Sequence, residues 1–372
     1  MATNWIKYAI YLGIAWLVPL VVIVTFYELI FGSWFDDDPW AVTRDLNVIR
    51  GKRIEYQVSN LGYQNKPVVY NRDEYGLRGT CASNNTADIV TLGGSTTDQK
   101  YISDGDTWQD VLQQELRGLE NLETICVANA GMDGHSTFGH IESFRRWFPL
   151  IEDFRPKFFL LYVGINDAAY RLAPVRKHDF RVKGLGIRNV WRDNSALYRH
   201  YKIAKSKLHM ARQAYGGHRF EEKQPDEYLA RQVTPETDLL MTSNIEGFRE
   251  RLITLVSQIK NTGALPICVS QPHALAWDFG QGLIGIGQAF THDGQTYNGI
   301  DYQRSMDGIN KEMKEICIKN DGFYIDMASA DFELTDYYDY IHMKPVGLAK
   351  VGSRLATEFR KQGITTLLSY EK

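Results

Sequence analysis

Five short apolar runs, separated by stretches of helical periodicity, leave this chain few folds to choose from. The runs are Ile89–Leu92, Thr124–Ala128, Phe158–Val163, Pro266–Ser270 and Phe323–Asp326. Between them, Asp106–Leu119 carries Trp108, Val111, Leu112 and Leu116 as a helical stripe. Thr137–Phe148 places Phe138, Ile141, Phe144 and Trp147 near one face and is closed by Pro149. Thr242–Asn261, Tyr302–Ile318 and Val346–Gln362 read as further helices, the first ended by Gly263 and the last by Gly363. Strands this apolar need cover on both faces, and helical crossovers make neighbouring strands parallel. The expected architecture is an α/β three-layer sandwich around a central five-stranded parallel sheet. Sites in such sheets lie at the carboxyl ends of the strands.

The residues just past the strand ends are chemically coherent. Ser95 comes after Ile89–Leu92, separated from it by Gly93 and Gly94. Gly134 lies in Asn129-Ala130-Gly131-Met132-Asp133-Gly134, after the second run. Asn166 lies in Gly164-Ile165-Asn166-Asp167, after the third. Near the C-terminus stands Asp339-Tyr340-Ile341-His342. Together these supply the groups that acyl transfer needs: Ser95 as nucleophile, His342 as its base and Asp339 to orient the base. The Gly134 N–H, the Asn166 side-chain amide and the Ser95 N–H can donate to an oxyanion. Each residue also has a plainer reading. Ser95 can be a helix N-cap, Asn166 a turn residue, and Asp339 with His342 a surface pair. Those readings require four coincidences in one chain. His135 and His273 read as loop histidines and are given no role.

The N-terminus is a separate matter. Tyr8 to Tyr27 contains no charge, and as a helix it spans about 30 Å, the thickness of a bilayer core. Trp5, Tyr8 and Tyr11 crowd one end, and Phe26, Tyr27, Phe31, Trp34 and Phe35 the other, like interfacial belts. Pro19 kinks such a helix without ending it. A cleaved signal peptide is the alternative, but Phe31-Gly32-Ser33-Trp34-Phe35 is a poor cleavage site. The reading is a retained single-pass anchor. Lys7 before the span and Asp36, Asp37 and Asp38 after it leave the N-terminus in the cytosol and the body outside, in the periplasm for a bacterial chain. An aromatic, Pro-kinked helix fits partner transmembrane helices as well as lipid.

Residues 1–35 form the anchor, 36–85 a linker and lead-in, and 86–372 the α/β domain, with a long insertion at about 168–240. Ala196–Tyr215 within that insertion reads as partly helical, and Gly-rich Ala274–Ile300 as a loop. Connections of such length are commonly functional. The formal net charge is -3 and no basic run exceeds two residues, which speaks against a nucleic-acid partner. The four cysteines form no C-x-x-C and no metal-ligand spacing, so no metal or cofactor is expected. Cys126 and Cys268 sit in apolar runs and read as buried free thiols. An oxidising compartment permits a disulfide, but the sequence does not ask for one.

The four blocks resemble those of the SGNH hydrolases, or GDSL esterase/lipase family, in a membrane-anchored bacterial form. Thr91-Leu92-Gly93-Gly94-Ser95-Thr96-Thr97 looks like the first block, Asn129–Gly134 the second, Gly164–Asp167 the third and Asp339–His342 the last. The resemblance covers about Asp88 to Gly363, leaving out the anchor and the long insertion. It implies Ser95, Asp339 and His342 as a triad and Gly134 and Asn166 as oxyanion donors. Gly94 and Thr96 depart from the common Gly-Asp-Ser-Leu and look like a bacterial subgroup. The implied function is a serine esterase on acyl esters, O-acetyl in particular, of cell-surface glycans. A sugar hydroxyl in place of water makes the same site an O-acyltransferase. A third reading, from another class, is a non-catalytic subunit of a membrane complex using the fold as scaffold.

Overall fold

The computed structural model describes the chain except residues 1, 33, 36–39, 41–45, 47–48, 60, 64–65, 82, 170–189, 192–193, 203, 206–207, 209–217, 220–224, 236 and 371–372. Much of Ala196–Tyr215 therefore lies outside the described residues. The chain divides into two compact units, Met1–Val42 with Arg181–Gly216, and Thr43–Phe180 with Gly217–Lys372.

In the first unit, helix α1 spans Ala2–Phe31 and continues through Pro19. Its Gly13–Phe31 portion has a mean hydropathy of 2.3 and none of it is buried, so it is long and apolar enough to cross a membrane.

In the second unit, β1 (Lys52–Tyr56) and β2 (Val68–Arg72) pair antiparallel, from Lys52 opposite Arg72 to Tyr56 opposite Val68. Then come β3 (Ile89–Gly93), α2 (Trp108–Arg117), β4 (Val127–Asn129), α3 (Thr137–Arg146), β5 (Phe158–Tyr162), β6 (Tyr228–Ala230) and α4 (Thr237–Asn261). Next are β7 (Leu265–Val269), β8 (Ala276–Asp278), β9 (Leu283–Ile286), β10 (Phe290–His292) and β11 (Gln295–Tyr297). Then follow α5 (Gly299–Lys319), β12 (Phe323–Ile325), α6 (Pro345–Lys361) and a final short helix, Ile364–Ser369. The expected five-stranded sheet is present in the order β12-β7-β5-β3-β4, every pair parallel.

Every residue of β3 and β5 is buried, as a doubly covered sheet requires. Because side chains alternate, Phe158, Leu160 and Tyr162 join the cluster containing Trp108, Leu112, Val351, Leu355 and Phe359 of α2 and α6. Phe159 turns the other way, against Phe144 of α3. Each fully buried large side chain contributes about 1.5–3 kcal/mol. Thr107 starts α2 with a capping box closed by Asp110, and Asn298 starts α5 with one closed by Asp301.

Two expectations are corrected here. Ala274–Ile300 is not loop: it carries β8 to β11. β8 pairs with β9, which extends to β6, and β10 pairs with β11. Strands of three or four residues are too short to show alternation. One signal was nevertheless present, Asp293-Gly294, whose positive φ values of 47° and 80° are those of a tight hairpin turn. The cysteines are not free: Cys81 bonds Cys126, and Cys268 bonds Cys317. A half-cystine in an apolar strand looks like a buried thiol. Its partner, 45 or 49 residues distant, is brought near only by the fold.

His140 of α3 is 1% exposed, and neither ring nitrogen has a hydrogen-bond partner among the described residues. Burial holds its pKa down at about 3 against an ordinary 6.5. The unfolded chain thus binds a proton that the folded one rejects. The contribution of His140 is flat above pH 6.5 and falls with pH from there towards 3. Wild type should lose on the order of 2–3 kcal/mol through this group between neutral pH and about pH 4.5. His140→Phe should remove this group's share of the acid-side loss, as read from urea midpoints at the two pH values, and leave that of His273, whose pKa burial holds down at about 4. Parallel slopes in both proteins would refute the assignment.

Candidate active site

β3 ends at Gly93, and Ser95 opens the short helix Ser95–Asp98 directly above its carboxyl end. His342 arrives from the far end of the chain, on the turn between Tyr337 and Met343, which bridge antiparallel. Its Nδ1 lies 2.6 Å from Asp339 Oδ2 and its Nε2 lies 2.6 Å from Ser95 Oγ. An ionised carboxylate only accepts, so Nδ1 carries the proton and Nε2 accepts from the Ser95 hydroxyl. The Tyr338 ring stacks on the imidazole at 5.5 Å and 6°, fixing its plane.

Asp339 is held from two sides. Oδ1 accepts the N–H of Ile341 at 2.8 Å and of His342 at 2.7 Å, while Oδ2 takes the imidazole. Burial pushes its pKa up. The hydrogen bond from His342, the charge of that ring and the two backbone N–H groups outweigh burial and leave the carboxyl below its ordinary 3.8.

Two of the oxyanion candidates, Asn166 and Gly134, lie beside one backbone carbonyl. The Asn166 side-chain amide donates to the His135 carbonyl at 2.8 Å, beside Gly134, whose φ is 74°. A side chain at Gly94 would overlap Asn166 Nδ2, so glycine there lets the amide lie against the turn that carries Ser95. The Asn166 turn is itself tied down. Buried Asp167 accepts from Thr137 Oγ1 at 2.6 Å and pairs with Arg251 at 3.2 Å.

Sequence reasoning missed the residues that bind these turns to one another. Gln271, just past β7, accepts the Ile165 N–H at 3.0 Å and donates to Thr96 Oγ1 at 2.8 Å, linking the Asn166 turn to the Ser95 turn. Asn129 donates to the Thr97 carbonyl at 2.6 Å and accepts the Gly131 N–H at 2.8 Å. Arg72 of β2 is buried and pairs with Asp98 at 2.5 Å. It also donates to the Gly131 carbonyl and, at 2.7 Å, to the Gly76 carbonyl. A buried Arg-Asp pair leaves no periodic trace in a sequence. Arg72→Met is expected to cost about 3–5 kcal/mol, because Asp98 stays buried without its cation. A shift in the urea midpoint at constant slope measures this. A loss well under 1 kcal/mol would show that Asp98 is satisfied without Arg72.

A water-sized space of about 10 Å³ lies beside Ser95 and His342, walled by Tyr162 and Tyr338. A groove of about 600 Å³ opens past the carboxyl ends of β7 and β12, with Trp277, Phe279 and Phe332 among its walls beside Asp278, Asp331 and Glu333. His273 lines the groove rather than the space beside Ser95. Among the described residues no His, Cys, Asp and Glu cluster could hold a metal.

Fold and site together define a class: a doubly wound α/β protein with a hydrogen-bonded Ser-His-Asp row at the carboxyl edge of its sheet. No family model and no curated protein matches the chain. Solved structures do. An acetylxylan esterase from Geobacillus stearothermophilus matches with a TM-score of 0.39 at 13% identity, covering 77% of this chain and 95% of that one. An alpha/beta hydrolase from the metagenome of Lake Arreo, Spain, matches at 0.39 and 12%, covering 78% and 100%. A protein assigned to the lipolytic G-D-S-L family of Desulfitobacterium hafniense DCB-2 matches at 0.38 and 12%, covering 72% and 97%. Strand order and register carry the fold assignment by themselves.

Proposed function

We propose that this chain is a serine esterase that removes small acyl groups, acetyl foremost, from cell-surface glycans. The observation that carries the reading is the continuous row Ser95 Oγ, His342 Nε2, His342 Nδ1, Asp339 Oδ2, with 2.6 Å at both hydrogen bonds. His342 takes the Ser95 proton as Oγ attacks the ester carbonyl, and Asp339 holds the tautomer that makes Nε2 the acceptor. The Gly134 N–H, the Asn166 amide and the Ser95 N–H receive the oxyanion, each contributing on the order of 3 kcal/mol to lowering the barrier. His342 returns the proton to the leaving alcohol, and water then repeats the sequence on the acyl-enzyme.

Three further observations support the finer parts of the reading. The confined space beside Ser95 suits a short acyl group. Aromatic walls beside carboxylates, as in the groove, suit a neutral sugar, whose apolar face stacks while its hydroxyls donate. Two disulfides suit an oxidising compartment, hence a body outside the cytosol with α1 as its anchor.

The test has two parts. A fluorophosphonate probe should label wild type at Ser95 and leave Ser95→Ala unlabelled. An unlabelled wild type would sink the esterase reading and leave the fold as a scaffold. Trp277→Ala should raise KM for an acetylated oligosaccharide several-fold while leaving kcat/KM for an aryl acetate within about twofold. Equal effects on both substrates would remove the groove from the sugar path. Transfer of acetyl to an added sugar in preference to water would make the enzyme an acyltransferase.

A further inference from the structure

The first unit holds a contact that a disposable leader would not need. The two oxygens of Glu28, in the last turn of α1, accept four donors. Oε1 takes Ser195 Oγ–H at 2.6 Å and the Leu197 N–H at 3.1 Å. Oε2 takes the Ala196 N–H at 2.8 Å and Trp34 Nε1–H at 3.0 Å. Residues 196–202 are helical, so Glu28 caps that helix from outside its own segment. Ser195 Oγ completes the cap by accepting the Tyr198 N–H at 3.1 Å. Tyr27 Oη hydrogen-bonds His200 Nδ1 at 2.5 Å, and Arg199 donates to the Phe31 carbonyl. Ser195 and Ala196 are buried against α1 by these contacts.

We infer that the helix of residues 196–202, with Trp191 and Leu208 on either side of it, forms a second membrane contact, clamped to the last turns of α1 and seated among the headgroups of an anionic bilayer. The inference rests on α1 spanning the membrane. A carboxylate at the end of an apolar span is tolerated where donors satisfy it, so the clamp marks the depth at which the span ends. Whatever holds Glu28 lies at that depth. The held segment has the chemistry of an interface. Leu197 and Tyr201, four residues apart on this helix, are 41% and 58% exposed, and Trp191 and Leu208 on either side of it are 47% and 56% exposed. Arg199, Lys202 and Lys205 lie between them. Exposed aromatic and aliphatic side chains interleaved with cations suit lipid headgroups carrying negative charge.

The experiment uses the full chain in vesicles of phosphatidylcholine and phosphatidylglycerol. All four cysteines are paired, so single cysteines can be introduced at Val22, Tyr201 and Leu208 to carry an environment-sensitive fluorophore. Lipids spin-labelled near the headgroup should quench the labels at 201 and 208 about twofold or more. Lipids labelled deep in the chain should quench Val22. Glu28→Ala should relieve the shallow quenching at 201 and 208 and leave Val22 quenched. Quenching at Val22 with none at 201 and 208 overturns the interfacial segment while α1 remains an anchor, and leaves that face to a protein partner. No quenching at Val22 overturns the anchor reading itself. Shallow quenching that survives Glu28→Ala unchanged overturns the clamp.

Discussion

Ser95→Ala is expected to lower kcat on an aryl acetate by about a factor of 10⁶, with KM little changed. The substitution removes Oγ and the hydrogen bond to His342 Nε2, and touches little else. Ser95 is half-buried at the first position of a short helix whose backbone bonds run from Gly94 and Ser95 carbonyls to Thr97, Asp98 and Gln99 N–H groups. Alanine keeps all of these, so the thermal midpoint should stay within a few degrees. That separation is the point of the measurement. Lost rate at retained stability assigns covalent chemistry to Ser95. Lost rate with lost stability would mean only that the turn had collapsed. A residual rate over water is expected, because the oxyanion donors remain in place. Comparable turnover in the two proteins would refute the nucleophile assignment outright.

Asp339→Asn should lower kcat by about 10⁴. The isosteric amide can still accept the Ile341 and His342 N–H groups through its oxygen, so the turn survives. The face presented to His342 Nδ1 then becomes an NH₂ donor. Nδ1 must accept, the ring's proton moves to Nε2, and Nε2 can no longer take the proton of Ser95. A structural role for Asp339 predicts a loss of stability; a role in tautomer control predicts a loss of rate with stability retained. The pH dependence has a definite sign. Because the carboxyl sits below its ordinary 3.8, the stability it contributes is present above that value and is lost as pH falls through the lower folded value. Wild type should therefore lose this contribution only in strong acid, and Asp339→Asn should lack that acid-side loss. An unchanged rate in the amide variant would send the search for the orienting group to the backbone around His342.

The elements were legible because their code is local. A run such as Phe158-Phe159-Leu160-Leu161-Tyr162 is apolar on both sides of a pleat, and Trp108, Leu112 and Leu116 recur at the helical repeat. Each pattern states which faces must be covered, and five such strands between helices admit few architectures. The blocks around Ser95, Gly134, Asn166 and His342 were legible in the same way, as reactive residue types just past strand ends or in a turn. Ala274–Ile300 failed that test because strands of three or four residues hold at most two periods of any pattern. Pairing across distance was decided by the tertiary structure. Nothing in the order of residues says that Arg72 meets Asp98, that Gln271 ties Thr96 to Ile165, or that Cys81 reaches Cys126 rather than staying a thiol. Nor does it say that Glu28 caps a helix 167 residues further along. Such contacts leave no periodicity, since each depends on where the whole chain places two single atoms. Composition and spacing therefore determined the layers and the candidate chemistry. Only the folded chain decided that Ser95, His342 and Asp339 stand within hydrogen-bonding distance, because a 2.6 Å contact across 247 residues is a property of packing and not of any segment.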